Sequence, residues 1–358
     1  MIGTPQSMKD LNKNLVENYL RQNSSATKPQ IASSTGISLV TVTKLVNDLI
    51  TEQTVIPCGI NESTGGRKAQ TFCINPSCCS IGIYYMKGYL CGFVCDAIGT
   101  ILSQQQFRIT ESDARSIFMQ FCHMIDTLIT ENNMKKISMI GIGIPGIVDH
   151  DVFFGVFSLP ALNGYPLVAQ LEEKYNTCVL ADNDLNFAAI GFYDSRNNPD
   201  TKNVMLIYMQ EGVGAGIILN GSLFRGQSSF AGELGYLPIS IDFGAENDPP
   251  LFHNLEETVR LIHQKQRTDP DNTKWRHALN EAASKTILCA ISFFSPDTIA
   301  ICGPFDSADM KEIEKNISRA IGYRTASDIV VISDIGPYCM SGIACFCRES
   351  QFRSVDPQ

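Results

Sequence analysis

Apolar positions recur at helical spacing through the first fifty residues and at strand spacing through much of the remaining chain. Leu11, Leu15, Val16, Tyr19 and Leu20 share one face and predict a first helix over about 9–22. Thr27 stands where an N-cap accepts a hydrogen bond, Pro29 where a first turn tolerates it, and Gly36 where a helix ends, so a short helix is predicted over 29–35. Ser38 caps a third helix, with Val42, Leu45, Val46, Leu49 and Ile50 on its inner face. Helix, glycine turn and helix at this spacing make a helix-turn-helix unit. Residues 55–58 and 71–74 read as two strands of a hairpin. The loop between them carries Gly65, Gly66, Arg67 and Lys68, which makes a wing with a flexible, cationic tip.

Asn75-Pro76 interrupts the pattern and divides the chain into a domain at 1–75 and a second at 76–358. Apolar residues then alternate over 80–94 as two strands joined near Lys87-Gly88, and a helix is predicted over 112–131. IGIGIPGIVD, at 140–149, reads as a buried strand ending in a Pro-Gly turn. CVLADNDLNFAA, at 178–189, reads as a strand running into a helix. At 204–209 a further strand enters a glycine turn, Gly212 to Gly216. A second strand follows at 217–219 and reverses at Asn220-Gly221, a strong hairpin signal. The remainder predicts a helix over 275–294, strands near 298–302 and 329–333, and a helix beginning at Gly342-Ile343-Ala344. Strands alternating with helices place the body in the α/β class.

Length and composition narrow the class. A chain of 358 residues can bury two or three cores, and 44% hydrophobic with 18% charged residues belongs to a soluble globular protein. No apolar run is long enough to span a bilayer, and the first twenty residues are too polar for a secretory signal, so no membrane association is expected. The thirteen cysteines are scattered through apolar segments (Cys91, Cys95, Cys289, Cys302). Cys78-Cys79 and Cys345-Phe346-Cys347 are too isolated to make a zinc set. A reducing cytoplasm is the expected setting. Net charge is −9, but residues 1–75 carry seven Lys and Arg against five Asp and Glu, net +2, which leaves −11 on the rest. A slightly basic head on an acidic body suits a small DNA-reading module joined to a domain with another task.

The candidate chemistry follows from these placements. Ser38, Thr41, Thr43, Lys44 and Asn47 stand on the solvent side of the third helix. They suit base and phosphate contacts in a major groove, while Arg67 and Lys68 on the wing suit a minor groove. The plainer reading is a small helical domain with a solvated basic loop. Asn183 and Asp184 offer an amide and a carboxylate to ligand hydroxyls, or else cap the helix that follows. The glycine-rich run at 212–216 and the loop around Gly232 and Gly235 let a ligand approach the backbone, or are simply tight turns.

Taken in order, these segments resemble the ROK family of bacterial sugar kinases and sugar-responsive repressors. The segment at 140–149 resembles the family's GIGIPGxVD, 183–189 its NDxNxAA, and 212–216 its GxGxG. Residues 232–236 resemble its GExGH with Tyr236 in place of His, and the head with its TGGRK wing resembles that of the ROK repressors. The resemblance implies a winged helix-turn-helix followed by a two-lobed, actin-like sugar-kinase body. Asn163, Asn183, Asp184, Glu233, Tyr236 and Glu256 would then face a sugar. Three departures stand on the nucleotide side. Residues 83–89 replace the phosphate-binding DxGGT, Gln210-Glu211 replaces a Gly-Thr, and Pro304 replaces the second glycine of a pair. Residues 245–254 contain no cysteine where the family has a zinc loop, so neither a structural metal nor a cofactor is expected. The resemblance implies a non-catalytic DNA-binding transcriptional regulator of carbohydrate genes. Its expected partners are operator DNA, a sugar or sugar phosphate effector, and a second copy or three in a homodimer or homotetramer. A sugar kinase with an appended DNA head, and a ligand-free regulator sensing a protein partner, are the alternatives.

Overall fold

The head takes its shape from its caps. In the computed structural model, which describes residues 5–61, 69–110, 112–210, 212–242, 251–269, 273–322 and 327–350, α1 spans Pro5–Gln22. It is followed by β1 (Ala26–Thr27), α2 (Lys28–Thr35) and α3 (Leu39–Thr51). Helix α1 starts ahead of the predicted position; Met8, within the added stretch, is 61% exposed and adds no inward apolar position to the pattern. Thr27 and Gln30 form a capping box, the Gln30 N–H donating to the Thr27 hydroxyl and the Thr27 N–H donating to the Gln30 side chain at 2.8 Å. Gly36 ends α2 in the left-handed conformation at φ 71°. Strands β2 (Val55–Asn61) and β3 (Ala69–Ile74) pair antiparallel, with β1 on the other side of β3. Both run further toward the wing tip than their apolar residues indicate. Val16, Leu20, Ile31, Val42, Leu45, Val46, Leu49, Val55 and Phe72 make the head's core.

The body repeats one sheet topology twice. In the first sheet, β4 (Cys79–Met86), β5 (Tyr89–Cys95) and β6 (Ile101–Arg108) form an antiparallel meander. After α4 (Ala114–Glu131), β7 (Ile137–Ile144) returns parallel to β4. A hairpin, β8 (Ile147–Asp149) with β9 (Val152–Phe154), and α5 (Leu167–Tyr175) lead to β10 (Val179–Asn183), parallel to β7. Helix α6 (Asp184–Arg196) connects to the second sheet. There β11 (Val204–Met209), β12 (Val213–Leu219) and β13 (Ser222–Leu223) form the meander, and β16 (Thr298–Cys302) and β17 (Asp328–Ile332) lie parallel to β11. Between meander and parallel strands stand the hairpin β14 (Pro238–Asp242)/β15 (Leu251–Asn254), α7 (Leu255–Thr268) and α8 (Thr273–Phe294); α9 (Ser307–Ile321) joins β16 to β17. The last element is α10 (Gly336–Ser350). Helices α4 and α5 cover one face of the first sheet, α7, α8 and α9 cover one face of the second, and α6 with α10 lies between the sheets. Phe93, Phe121, Phe153 and Phe187 are fully buried in these layers, each worth roughly 1.5–3 kcal/mol over exposure.

Strand alternation explains the glycines. On β7, Ile140, Ile142 and Ile144 point to the α4/α5 side. Gly141 points to α10, where a Cβ would stand 2.6 Å from Ile343 and 2.9 Å from the Cys347 sulfur. On β12, Val213, Ala215 and Ile217 pack toward α7 and α8. Gly214 and Gly216 face α6, and a Cβ at Gly216 would overlap the Leu185 carbonyl and stand 2.5 Å from Ala189 Cβ. This corrects the predicted glycine turn at 212–216: the run is strand from Val213 onward, and its glycines admit a helix. The last helix is corrected too. It starts at Gly336, and Gly342 lies inside it, at the crossing with α6 where a Cβ would overlap the Phe187 carbonyl oxygen. Gly191 makes the reciprocal approach, onto the Tyr338 carbonyl.

Candidate ligand cleft and nucleic-acid face

The amino end of α6 is fixed before any ligand is considered. β10 delivers Asn183, whose Oδ1 accepts from the Leu185 N–H at 2.8 Å and whose Nδ2 donates to the Gly146 carbonyl at 2.8 Å. The capping reading of Asn183 therefore holds, and the same amide ties the 140–149 segment to α6. Gly146 sits at φ 134°, where a Cβ would be 2.8 Å from the Phe154 carbonyl oxygen. Asp184 follows, 8% exposed, its Oδ1 accepting from the Leu185 N–H at 2.9 Å. Burial, and then the charge of Glu233, push its carboxyl up to about 7.

Glu233 and Glu256 arrive from the second sheet. The Ala215 N–H donates to the Gly232 carbonyl at 2.7 Å, and Gly232, at φ 98°, leaves no room for a Cβ against the Ala215 oxygen. The loop thus lies flat on β12 beside the start of α6. Asn254 caps α7 by accepting from the Glu257 N–H at 2.8 Å, which places Glu256 in the first turn. Glu256 Oε2 accepts from the Val213 N–H at 2.7 Å. Burial raises both glutamates; Glu256 adds to the shift of Glu233, while the Val213 N–H and the charge of Arg260 partly offset that of Glu256. Carboxylates from α6, the 230s loop and α7 therefore act on one another in sequence, Glu233 raising Asp184 and Glu256 raising Glu233. Such a group is suited to a neutral ligand rich in hydroxyl donors.

The other sugar candidates differ. The Asn163 amide accepts from the Val156 N–H at 2.9 Å and donates to the Pro160 carbonyl at 3.0 Å, so it closes its own loop. Tyr236 is 52% exposed and packs at 5.4 Å against the Phe230 ring. The sequence reading missed a network beside them. Asp182, 4% exposed, accepts through Oδ2 from Arg225 Nε at 2.8 Å and Nη2 at 2.6 Å, and through Oδ1 from Asn186 Nδ2 at 2.7 Å. Arg225 belongs to the second sheet's loop and Asp182 to the first sheet, so this ion pair bridges the two halves. Its one sequence trace is the spacing of Asp182 and Asn186, four residues apart across a helix start.

On the nucleotide side, Lys87 and Gly88 make a two-residue turn at φ 49° and 84°, with Met86 opposite Tyr89. Tyr84 is half-buried, and burial together with Cys91, Cys339 and Asp334 pushes its phenol up. Phe305 folds back on Gly303, where a Cβ would overlap its ring. Glu211, and residues 245–250 of the cysteine-free loop, lie outside the described residues. Among the described residues no group of three His, Cys, Asp or Glu side chains is placed to hold a metal, and no helix is long and apolar enough to cross a membrane.

In the head, α3 turns Val42, Leu45, Val46 and Leu49 inward and Val40, Lys44 and Asn47 outward. Ser38 Oγ accepts from the Thr41 N–H at 3.2 Å and bonds Thr41 Oγ1 at 2.8 Å. The Thr43 hydroxyl donates to the Leu39 carbonyl at 2.7 Å. Asn47 Oδ1 accepts from Lys28 Nζ at 2.9 Å. Arg67 and Lys68 lie outside the described residues.

Comparison with known proteins agrees with this architecture. The xylose repressor of Bacillus subtilis is 31% identical over 242 residues, 66% of this chain and 62% of the relative; the chain thus spans under two thirds of that protein's length. The Escherichia coli DNA-binding transcriptional dual regulator NagC is 24% identical over 86% of this chain and 84% of its own. Among solved structures, a ROK family transcriptional regulator, a homologue of the E. coli MLC protein, superposes with a TM-score of 0.75 at 17% identity. That match covers 96% of this chain and 98% of the other. A ROK hexokinase from Thermus thermophilus gives 0.61 at 17% identity over 74% of this chain and 96% of its own. Residues 81–250 match the ROK family itself. Over residues 81–250 the body of this chain is therefore similar to the ROK family.

Proposed function

We propose that this protein is a DNA-binding transcriptional repressor of carbohydrate genes, with residues 1–75 as the reading head and 76–358 as the effector body. The observation that carries it is the joining of a winged helix-turn-helix to a kinase-like body in which Glu233 bears on Asp184 and Glu256 bears on Glu233. A relative named as a xylose repressor and one named as a DNA-binding transcriptional dual regulator support the same reading, the second aligned over most of its length. The sugar enters between the halves joined by Arg225 and Asp182 and favours one angle between them over another. That shift changes the spacing of two heads in a homodimer or homotetramer on operator DNA. Phosphoryl transfer is not part of the role: Tyr84 stands in the segment that replaces the phosphate loop, Phe305 packs on Gly303 beside Pro304, and no acid stands in the Lys87-Gly88 turn. The setting is the cytoplasm.

The test is a thermal-shift panel of neutral sugars, amino sugars and their phosphates, with xylose and N-acetylglucosamine included because relatives are named for them. It is followed by operator binding with and without any hit. Asp184→Asn and Glu233→Gln are each expected to abolish the effector response and leave effector-free DNA affinity unchanged. Wild-type responses in both variants would make the cleft a relic. Saturable, magnesium-dependent ATP binding would revive the kinase reading.

A further inference from the structure

Two of the exposed side chains on the reading helix are apolar. Val40 is 82% exposed and Leu39 49%, both in the first turn of α3, and neither helps build the head's core. Several of the polar groups around them are partly engaged. The Ser38 and Thr41 hydroxyls bond each other, the Thr43 hydroxyl spends its proton on the Leu39 carbonyl, and the Asn47 oxygen accepts from Lys28. The Thr43 hydroxyl can then only accept, whereas one hydroxyl of the Ser38–Thr41 pair, the Asn47 amide N–H groups and the Lys44 ammonium remain donors, so apolar and polar groups stand side by side on this surface. It presents valine, leucine and threonine methyls, with the exposed Lys44 one turn behind Val40.

In the major groove, thymine alone among the four bases offers an apolar group, its C5-methyl. Charge selects DNA as the occupant over an apolar protein partner. The head is net +2 on a chain of net −9, Lys44 stands on α3, and Lys28, at the start of α2, reaches Asn47 on α3. We propose that Leu39 and Val40 are specificity-determining residues that pack on thymine methyl groups, so that this head selects half-sites with thymine under the first turn of α3. The inference rests on the proposed DNA-binding role.

The experiment enriches binding sequences for the full-length protein from a randomised duplex pool. Each thymine of the best duplex is then replaced by deoxyuridine, which lacks only the methyl. One or two positions in each half-site are expected to lose about fourfold in affinity, the effect of one buried methyl group. In Val40→Ala or Leu39→Ala the same replacements should cost close to nothing, while melting temperature stays at the wild-type value because both side chains are exposed. That cross-effect separates methyl contact from sequence-dependent groove shape, which the variants would leave untouched. Deoxyuridine tolerated at every position by a protein that still binds, or equal losses in wild type and variants, overturns the inference alone. Failure of the full-length protein to enrich any duplex overturns the DNA-binding role and the inference with it.

Discussion

Replacing Asp184 by Asn should stabilise the ligand-free protein, and the gain should depend on pH. In the fold the Asp184 carboxyl titrates near 7, against an ordinary value of 3.8, because it is buried and faces Glu233. From about pH 4 to about pH 7 the unfolded chain has therefore released a proton that the folded chain still holds. Stability falls as pH rises through that window and levels off above it. Three decades of acidity at about 1.4 kcal/mol each set an upper bound of about 4 kcal/mol above pH 7. Glu233 relaxes when its neighbour loses charge, and asparagine keeps an oxygen for the Leu185 N–H, so the cap at 2.9 Å survives. A gain of about 2 kcal/mol near pH 8, shrinking toward nothing near pH 4.5, is the expected result. Thermal melts of both proteins across that range, without sugar, measure it. An advantage that does not change with pH, or a variant less stable than wild type at pH 8, would refute the account of the cleft as a strained cluster of acids.

Three further outcomes are expected from the geometry. Arg225→Ala should destabilise by about 3 kcal/mol or more in denaturant melts, since it leaves Asp182, 4% exposed, as a buried charge without its partner; Asp182→Asn combined with Arg225→Ala should recover part of that loss. Gly342→Ala should cost about 3 kcal/mol or more, or yield insoluble protein, because its Cβ overlaps the Phe187 carbonyl and both backbones are fixed within helices. Lys44→Ala should lower the slope of log affinity for DNA against log salt by about one, measured by anisotropy, as expected for one lost phosphate contact.

The sequence by itself determined the head nearly element by element, because its signals are local. Thr27, Gly36 and Ser38 cap or terminate through atoms within four residues, and the inner faces of α1 and α3 repeat at helical spacing. Its apolar alternation also located β4, β5, β7 and β11, and the ordered segments around Gly146, Asp184 and Glu233 carried the resemblance from which the candidate cleft is proposed. Two kinds of fact needed the tertiary structure. One is the meaning of a glycine. Gly214, Gly216 and Gly342 look like turn or helix-start residues along the chain, and only the helix pressed against each shows why a side chain is excluded. The other is the destination of a polar group. Asn183 and Asn163 look ligand-facing along the chain, yet their amides bond backbone atoms up to 37 residues away. Asp182 finds Arg225 at a separation of 43 residues and across two sheets, which no local pattern records. The repeat of one strand order in both halves was equally hidden, since it is a repeat of topology and not of residues. A capping box is decided within one turn of chain, whereas a partner for a buried charge is decided by where the whole fold brings the chain back.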